Sequence, residues 1–309
     1  MKLAVIDLGT NTCNLLIAET NLEGFAILHQ SKQLVKLGDN KIRENEISPE
    51  ATVRAIEALE IQKKIIENHQ PDKIRVIATS AIRTANNKIQ FLEALGENTG
   101  WIVKVVSGEK EAELIFKGVL LSFAELKNPT VILDIGGGSN ELIVAHNKEM
   151  IWKESQPTGM ARVINKFNLS DPVKNEEIVS LKHFFAEAHK NAFDKCNGKK
   201  VKLLVGCSGA FDTIADMIEE VSPGEKQRKK QEILLADFHS VYEKLIHSTR
   251  EERMLMKGMD YVRVDLIVPA VILIEQLILK IGIERIIQTD FALREGVLFE
   301  MIHPGESPS

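Results

Sequence analysis

Short apolar runs bounded by turn residues alternate with longer stretches of helical period along most of the chain. Leu3-Ala-Val-Ile, Leu15-Leu-Ile-Ala and Gly24-Phe-Ala-Ile-Leu predict three successive strands, the first two joined by a tight turn at Gly9-Thr-Asn-Thr12. A basic, irregular stretch is expected over 31–43. Ser48-Pro49-Glu50 combines a hydroxyl cap, a proline for the first turn and a nearby acid, so a helix is predicted to about residue 67, ending before Pro71. A strand over 74–78 leads into one helix from Thr79 through Leu95, then a strand over 101–106 and a helix from about Glu109 to Leu126. Asn128-Pro129 marks a seam, after which the pattern starts again. The second half is read as a hairpin around 136–139, helix over 173–196, strand over 201–205, a turn at 206–209 and a helix from Ala210. The most apolar stretch, 266–287, carries Glu275, Lys280, Glu284 and Arg285, and reads as a buried helix followed by a strand. A last helix is expected from about Arg294, and the terminus from Gly305 reads as disordered. Alternating strands and helices, twice over, predict an α/β protein of two lobes with mixed sheets.

The restart is a repeat. Asp7-Leu-Gly-Thr-Asn-Thr-Cys-Asn-Leu-Leu-Ile-Ala aligns without gaps on Asp134-Ile-Gly-Gly-Gly-Ser-Asn-Glu-Leu-Ile-Val-Ala, 127 positions on. Each copy places an acid where a strand enters a turn of Gly, Thr, Ser and Asn, residues that leave backbone N–H groups exposed. Successive amides form a concavity for anions, and an adjacent carboxylate can hold a divalent cation against a phosphate. Two such turns predict a duplicated domain with a phosphate–metal site between the halves.

Composition narrows the partners. With 309 residues, 44% hydrophobic and 27% charged, the chain has the make-up of a globular protein with room for two cores. A formal charge of −5 argues against a general binder of nucleic-acid polymers or anionic membranes, so any anion site is local. Cys13, Cys196 and Cys207 share no metal or redox spacing, which fits a reducing cytoplasm. Asp7 interrupts the first apolar run too early for a secretory signal. The glycine turns match neither a dinucleotide fingerprint nor a Walker loop.

The sequence resembles the exopolyphosphatase/guanosine pentaphosphate phosphatase family, within the actin, Hsp70 and sugar-kinase fold group. The motifs that carry the resemblance run in family order over nearly the whole chain. They are Asp7-Leu-Gly-Thr-Asn-Thr, Ala78-Thr-Ser-Ala-Ile-Arg83, Ser107-Gly-Glu-Lys-Glu111-Ala, Asp134-Ile-Gly-Gly-Gly-Ser-Asn-Glu141-Leu, Gly206-Cys-Ser-Gly and Asp290-Phe-Ala-Leu-Arg-Glu-Gly296. Thr10 and Thr12 stand where the family usually has Ser, and Ala292 where Gly is commoner. The resemblance is to the shorter members, without the extra C-terminal domains expected of longer relatives.

The resemblance implies two duplicated ribonuclease H-like (actin-like ATPase) lobes, 1–126 and 127–309, with a cleft between them. A last helix at about 294–304 is expected to pack back on the first lobe. It implies a Mg²⁺-dependent hydrolase, with Mn²⁺ an acceptable substitute, that removes the terminal phosphate from inorganic polyphosphate, guanosine pentaphosphate or both. A homodimer is compatible with this reading. Glu111 takes the family's general-base register; Asp7, Asp134 and Glu141 fall at metal-ligand positions. Gly9, Thr10, Asn11, Thr12, Arg83, Gly136, Gly137, Gly138, Ser139, Ser208 and Gly209 fall at substrate-binding ones.

Each assignment has a plainer rival. Glu111 could merely complement a helix dipole, as Glu109 and Glu113 would, and Glu141 could be a solvated strand residue. Thr79 and Ser80 could be helix caps. The cluster Lys32, Lys36, Lys41 and Arg43 reads first as solvated surface, and Arg228-Lys-Lys as a surface loop. The 206–209 turn could serve a nucleotide, a phosphate tail or only a sharp bend. At the level of function the rivals are an ATP-dependent small-molecule kinase and a non-enzymatic actin- or Hsp70-like nucleotide switch.

Overall fold

The computed structural model describes residues 1–21, 24–39, 41–123, 125–207 and 209–305; Ser208 and the expected loose end at 306–309 lie outside them. Strands β1 (Lys2–Leu8), β2 (Thr12–Asn21) and β3 (Gly24–Leu34) form an antiparallel meander. Strands β4 (Lys73–Ala78) and β5 (Val103–Val105) join parallel to β1, giving the order β3-β2-β1-β4-β5. The second sheet repeats this plan. Its strands are β6 (Leu126–Ile135), β7 (Asn140–Asn147), β8 (Glu149–Gln156), β9 (Leu203–Cys207), β10 (Gln231–Ile233) and β11 (Arg285–Thr289). Their order β8-β7-β6-β9-β11, with β10 antiparallel on the far edge, matches the first sheet strand for strand. The fold is therefore mixed α/β with two mixed sheets of common topology.

The helices of the first half are α1 (Pro49–His69), α2 (Ser80–Thr84), α3 (Lys88–Thr99) and α4 (Gly108–Ser122). Those of the second are α5 (Met160–Phe167), α6 (Asn175–Ala188), α7 (Lys190–Gly198), α8 (Ala210–Glu219), α9 (Leu235–Ile246), α10 (Arg250–Met254), α11 (Ile267–Ile281) and α12 (Leu293–Ile302). No helix among the described residues is long and apolar enough to cross a membrane. Local chemistry starts them where the sequence indicates. Ser48 accepts from Ala51 N at 3.1 Å above Pro49, and Ser107 accepts from Lys110 N at 3.2 Å.

Several elements depart from the expected pattern. The single helix from Thr79 is two, because Asn87 turns away to hold both the N–H and the carbonyl of Ile47, at 3.0 and 2.8 Å. The 173–196 helix breaks at His189, whose buried ring meets Thr158 and Glu154. Strand β3 runs on to Leu34 through part of the stretch read as irregular. Asn128 and Pro129 lie inside β6 rather than before it, at a slip of register between Leu126 and Thr130 that tolerates a residue without an N–H. Helix α5 and strand β8 had no sequence signal: α5 is eight residues with Gly159 as its cap, and β8 is half-buried without clean alternation.

Three apolar clusters build the core. One lies outside the first sheet under α1 and α3, and a larger one outside the second sheet around α11. The third fills the space between the sheets, where α4 and α12 cross. That crossing is very close. A Cβ on Gly118 would lie 1.8 Å from Ala292 O, and one on Gly296 1.8 Å from Leu114 O. Helix propensity alone would make Gly296→Ala stabilising by about 1 kcal/mol. Overpacking against backbone, which cannot rotate aside, opposes it with about 1–3 kcal/mol or more and decides the sign. Gly118→Ala and Gly296→Ala are expected to lower the denaturant midpoint; a raised midpoint in either would contradict this crossing.

Candidate active site between the lobes

The two repeated hairpins close their turns in the same way: Gly9 N donates to Thr12 O at 2.9 Å, and Gly136 N to Ser139 O at 3.0 Å. Register pairs Asp7 with Asn14 in one and Asp134 with Glu141 in the other. Directly opposed residues project to the same face, so each turn has an acid and one partner at its mouth. The copies have diverged at that partner. Asn14 Nδ2 donates to Asp7 Oδ2 at 3.2 Å, whereas the second copy keeps a carboxylate. The amides of Thr10, Asn11, Gly137, Gly138 and Ser139 donate no hydrogen bond among the described residues. The turns face each other closely enough that a Cβ on Gly138 would lie 2.5 Å from Thr10 Oγ1 and 2.7 Å from Ser80 Oγ. They open into a cavity of about 670 Å³ lined by Asp7, the 9–12 turn, Thr79, Ser80, Glu111, Asp134, the 136–139 turn, Glu141 and Gly209.

Glu111 stands in the first turns of α4 and is 6% exposed, unlike exposed Glu109 beside it, so dipole complementation is not its only environment. Its carboxyl is pushed well above the usual range, first by burial and then by Glu141, against the pull of Arg83. Arg83 donates to Glu111 Oε2 at 2.7 Å and to Val106 O at 3.1 Å, and approaches Ser139 Oγ at 3.5 Å. It stands behind Glu111 rather than on the cavity wall. Glu141 is 2% exposed, and its Oε1 accepts from Ser139 at 2.7 Å and Ser155 at 2.6 Å. Burial raises its pKa against those two bonds. Gly108 fits under Ser155, where a Cβ would lie 2.5 Å from the hydroxyl.

Asp7 is pushed up to about 6, mainly by burial, and its Oδ1 is buried without a hydrogen bond. An orphaned buried carboxylate oxygen beside free amides is a place for a cation with its phosphate. Among the described residues no three His, Cys, Asp or Glu side chains converge as a ready metal cage. The all-oxygen set fits a hard cation such as Mg²⁺, which needs only one or two carboxylates and otherwise keeps water and substrate phosphate.

Other expected residues separate. Of the basic cluster only Lys32 lines the cavity, ion-paired to Asp260; Lys41 pairs with Glu46 at 3.4 Å, and Lys36 and Arg43 are exposed. Thr79 makes no cap bond to α2. Gly206 belongs to β9 and accommodates Phe211, whose Cδ1 would lie 2.1 Å from a Cβ there. Gly209, at φ +53°, lies under the guanidinium of Arg263. That Arg263 was not legible in sequence, since nothing there tells a cleft arginine from a surface one; it lines the cavity and its Nε is buried without a partner among the described residues. Arg228 corrects the surface-loop reading: its guanidinium is buried against Asp216 at 2.8 Å and Glu219 at 2.5 Å, on the cavity's second-lobe wall. Asp212 and Asp290 share the amide of Gln288, at 2.8 and 2.6 Å, and burial pushes Asp212 up to about 7.

These buried acids set a pH dependence. An unfolded Asp titrates near ~4, so folded values of about 6 and 7 favour the folded state only while the groups hold their protons. That contribution is lost as pH rises through those values. The melting temperature of the metal-free protein is expected to fall between pH of about 4 and 7; a steady rise across that window would contradict the burial of Asp7 and Asp212.

Two lobes of one topology, facing glycine turns and a carboxylate-lined cleft define an actin-like phosphoryl-transfer architecture. The profile of the Ppx/GppA phosphatase family matches residues 16–304, and the chain belongs to that family. It is 26% identical to exopolyphosphatase 2 of Mycobacterium tuberculosis over 97% of this chain and 98% of that protein. The crystal structure of an exopolyphosphatase from Cytophaga hutchinsonii superposes with a TM-score of 0.94 at 32% identity, covering 100% of both chains. The Ppx/GppA family member of Aquifex aeolicus has the same fold, with a TM-score of 0.82 at 24% identity over 99% of each chain.

Proposed function

We propose that this family phosphatase removes the terminal phosphate of inorganic polyphosphate, guanosine pentaphosphate or both, with Mg²⁺ as its metal. The observation that carries the reading is a buried Glu111, of raised pKa, facing the two turns of free amides across one cavity. The terminal phosphoryl binds between the turns, its oxygens on the amides of 10–11 and 137–139 and the hydroxyls of Thr10 and Thr12. Glu111 accepts a proton from water as the water attacks phosphorus in line with the departing phosphate oxygen. Arg83 holds that carboxylate in place from behind and reaches the second glycine turn at Ser139 Oγ. Asp134 and Glu141, with Asp7, would hold Mg²⁺, which when bound neutralises charge on the phosphoryl oxygens. Gly209 and Arg263 form the second-lobe wall that would meet the rest of the substrate. Arg228, paired to Asp216 and Glu219, lies on the same wall.

The test is phosphate release from long polyphosphate, tripolyphosphate and guanosine pentaphosphate, side by side, with Mg²⁺ and without ADP or sugar. Release from at least one is expected, and the ranking names the substrate. Turnover that appears only with a sugar or ADP acceptor would replace the hydrolase by a kinase.

A further inference from the structure

One arginine from α5 reaches three separate segments. Arg162 Nε donates to Gly138 O at 3.1 Å, Nη1 to Asn45 Oδ1 at 3.1 Å and Nη2 to Thr84 Oγ1 at 2.7 Å. Gly138 belongs to the second glycine turn, whereas Asn45 and Thr84 belong to the first half, with Thr84 next to Arg83. The start of α5 grips the same turn through its backbone: Met160 N donates to Gly136 O and Ala161 N to Gly137 O, both at 2.9 Å.

Three successive carbonyls, of 136, 137 and 138, are thus held on one side. In a planar trans peptide the carbonyl and the following N–H point in opposite directions. The amides of Gly137, Gly138 and Ser139 are therefore turned away from α5, and they are the ones that donate no hydrogen bond among the described residues. We propose that Arg162 is a positioning residue that locks the last of these peptides, aiming Ser139 N–H at the phosphoryl oxygens while the two lobes are held in this juxtaposition. It rests on the phosphohydrolase reading, since an anion must be what the amides receive. An arginine suits the task because its planar fork spans three acceptors that one ammonium cannot.

In Arg162→Ala the turn keeps its glycines but loses its orientation. Turnover is expected to fall roughly 10²-fold, the scale of losing one oxyanion donor, with less change in KM. Arg162→Lys should recover melting temperature but not kcat. The decisive variant is Asn45→Ala with Thr84→Val, which leaves the bond to Gly138 and cuts the two described ties to the first lobe. It should lower kcat in the same direction, and its effect should not add to that of Arg162→Ala. Calorimetric binding of inorganic phosphate gives an arm independent of turnover: both variants should bind it about tenfold more weakly than the parent. An unchanged kcat per folded molecule in the double variant, full rescue of kcat by lysine, or phosphate binding that is unaltered or missing in the parent would each overturn the proposal. A parent that binds phosphate but releases none from any polyphosphate or pentaphosphate would instead overturn the functional reading.

Discussion

Glu111→Gln is expected to reduce turnover by roughly 10²- to 10⁴-fold while substrate affinity changes little, the signature of a lost general base. The substitution keeps the shape of the side chain and one acceptor for Arg83, which bonds the carboxylate at 2.7 Å. Glu109→Gln and Glu113→Gln are the controls on the same helix. Glu109 is exposed, and Glu113 pairs with Lys110 at 3.6 Å and with Lys153. If all three acids only complemented the helix dipole, each would contribute about 0.3–1 kcal/mol and none would matter much to rate. Small, similar effects at all three would remove Glu111 from the mechanism. Because burial and Glu141 hold the Glu111 proton well above the ordinary carboxyl range, the parent's rate should rise with pH through that raised value. The acid limb of the profile should disappear in Glu111→Gln.

Asp134→Ala and Glu141→Ala should both lower the rate and raise the Mg²⁺ concentration needed for half-maximal rate. The shift should exceed the roughly 10–100-fold typical of losing a group that only supports a ligand. A readout without turnover accompanies it: Mg²⁺ should raise the melting temperature of the parent and do so far less in either variant. Glu141→Ala leaves the buried hydroxyl of Ser139 and the half-buried one of Ser155 without their shared acceptor, so some loss of stability is expected regardless of metal. An unchanged Mg²⁺ requirement alongside a lost rate would reassign both acids from metal holding to direct contact with the substrate.

The sites most legible in sequence were those where backbone geometry forces a residue type. Gly9 and Gly136 open the same tight turn twice, and Ser48-Pro49 and Ser107-Gly108 start α1 and α4. Each of these constraints is local enough to leave a signature. The duplication was legible for the same reason, since strand–turn–strand recurs with the same acid at its mouth. What the pattern did not carry was placement across the cleft. Arg162, Arg228 and Arg263 look alike along the chain, yet one clamps the glycine turn, one is locked between Asp216 and Glu219, and one faces the cavity. Long charged side chains take their role from partners that are remote in sequence, such as Thr84 for Arg162. Asp212 and Asp290, 78 positions apart, become neighbours only because β11 lies beside β9 and brings Gln288 between them. The same limit hid β8, an outer strand whose Lys153 and Ser155 are committed to Glu113 and Glu141.

Hydrolysis by direct attack of water on the terminal phosphorus is tested most directly by isotope. The protein is supplied with Mg²⁺ and the substrate it cleaves fastest, in water enriched in ¹⁸O, and the released phosphate is weighed by mass spectrometry. Attack at the terminal phosphorus puts one solvent oxygen into each released phosphate during the first turnovers and none into the remaining chain end. Released phosphate without the label, with the label found instead on the shortened substrate, would contradict the account.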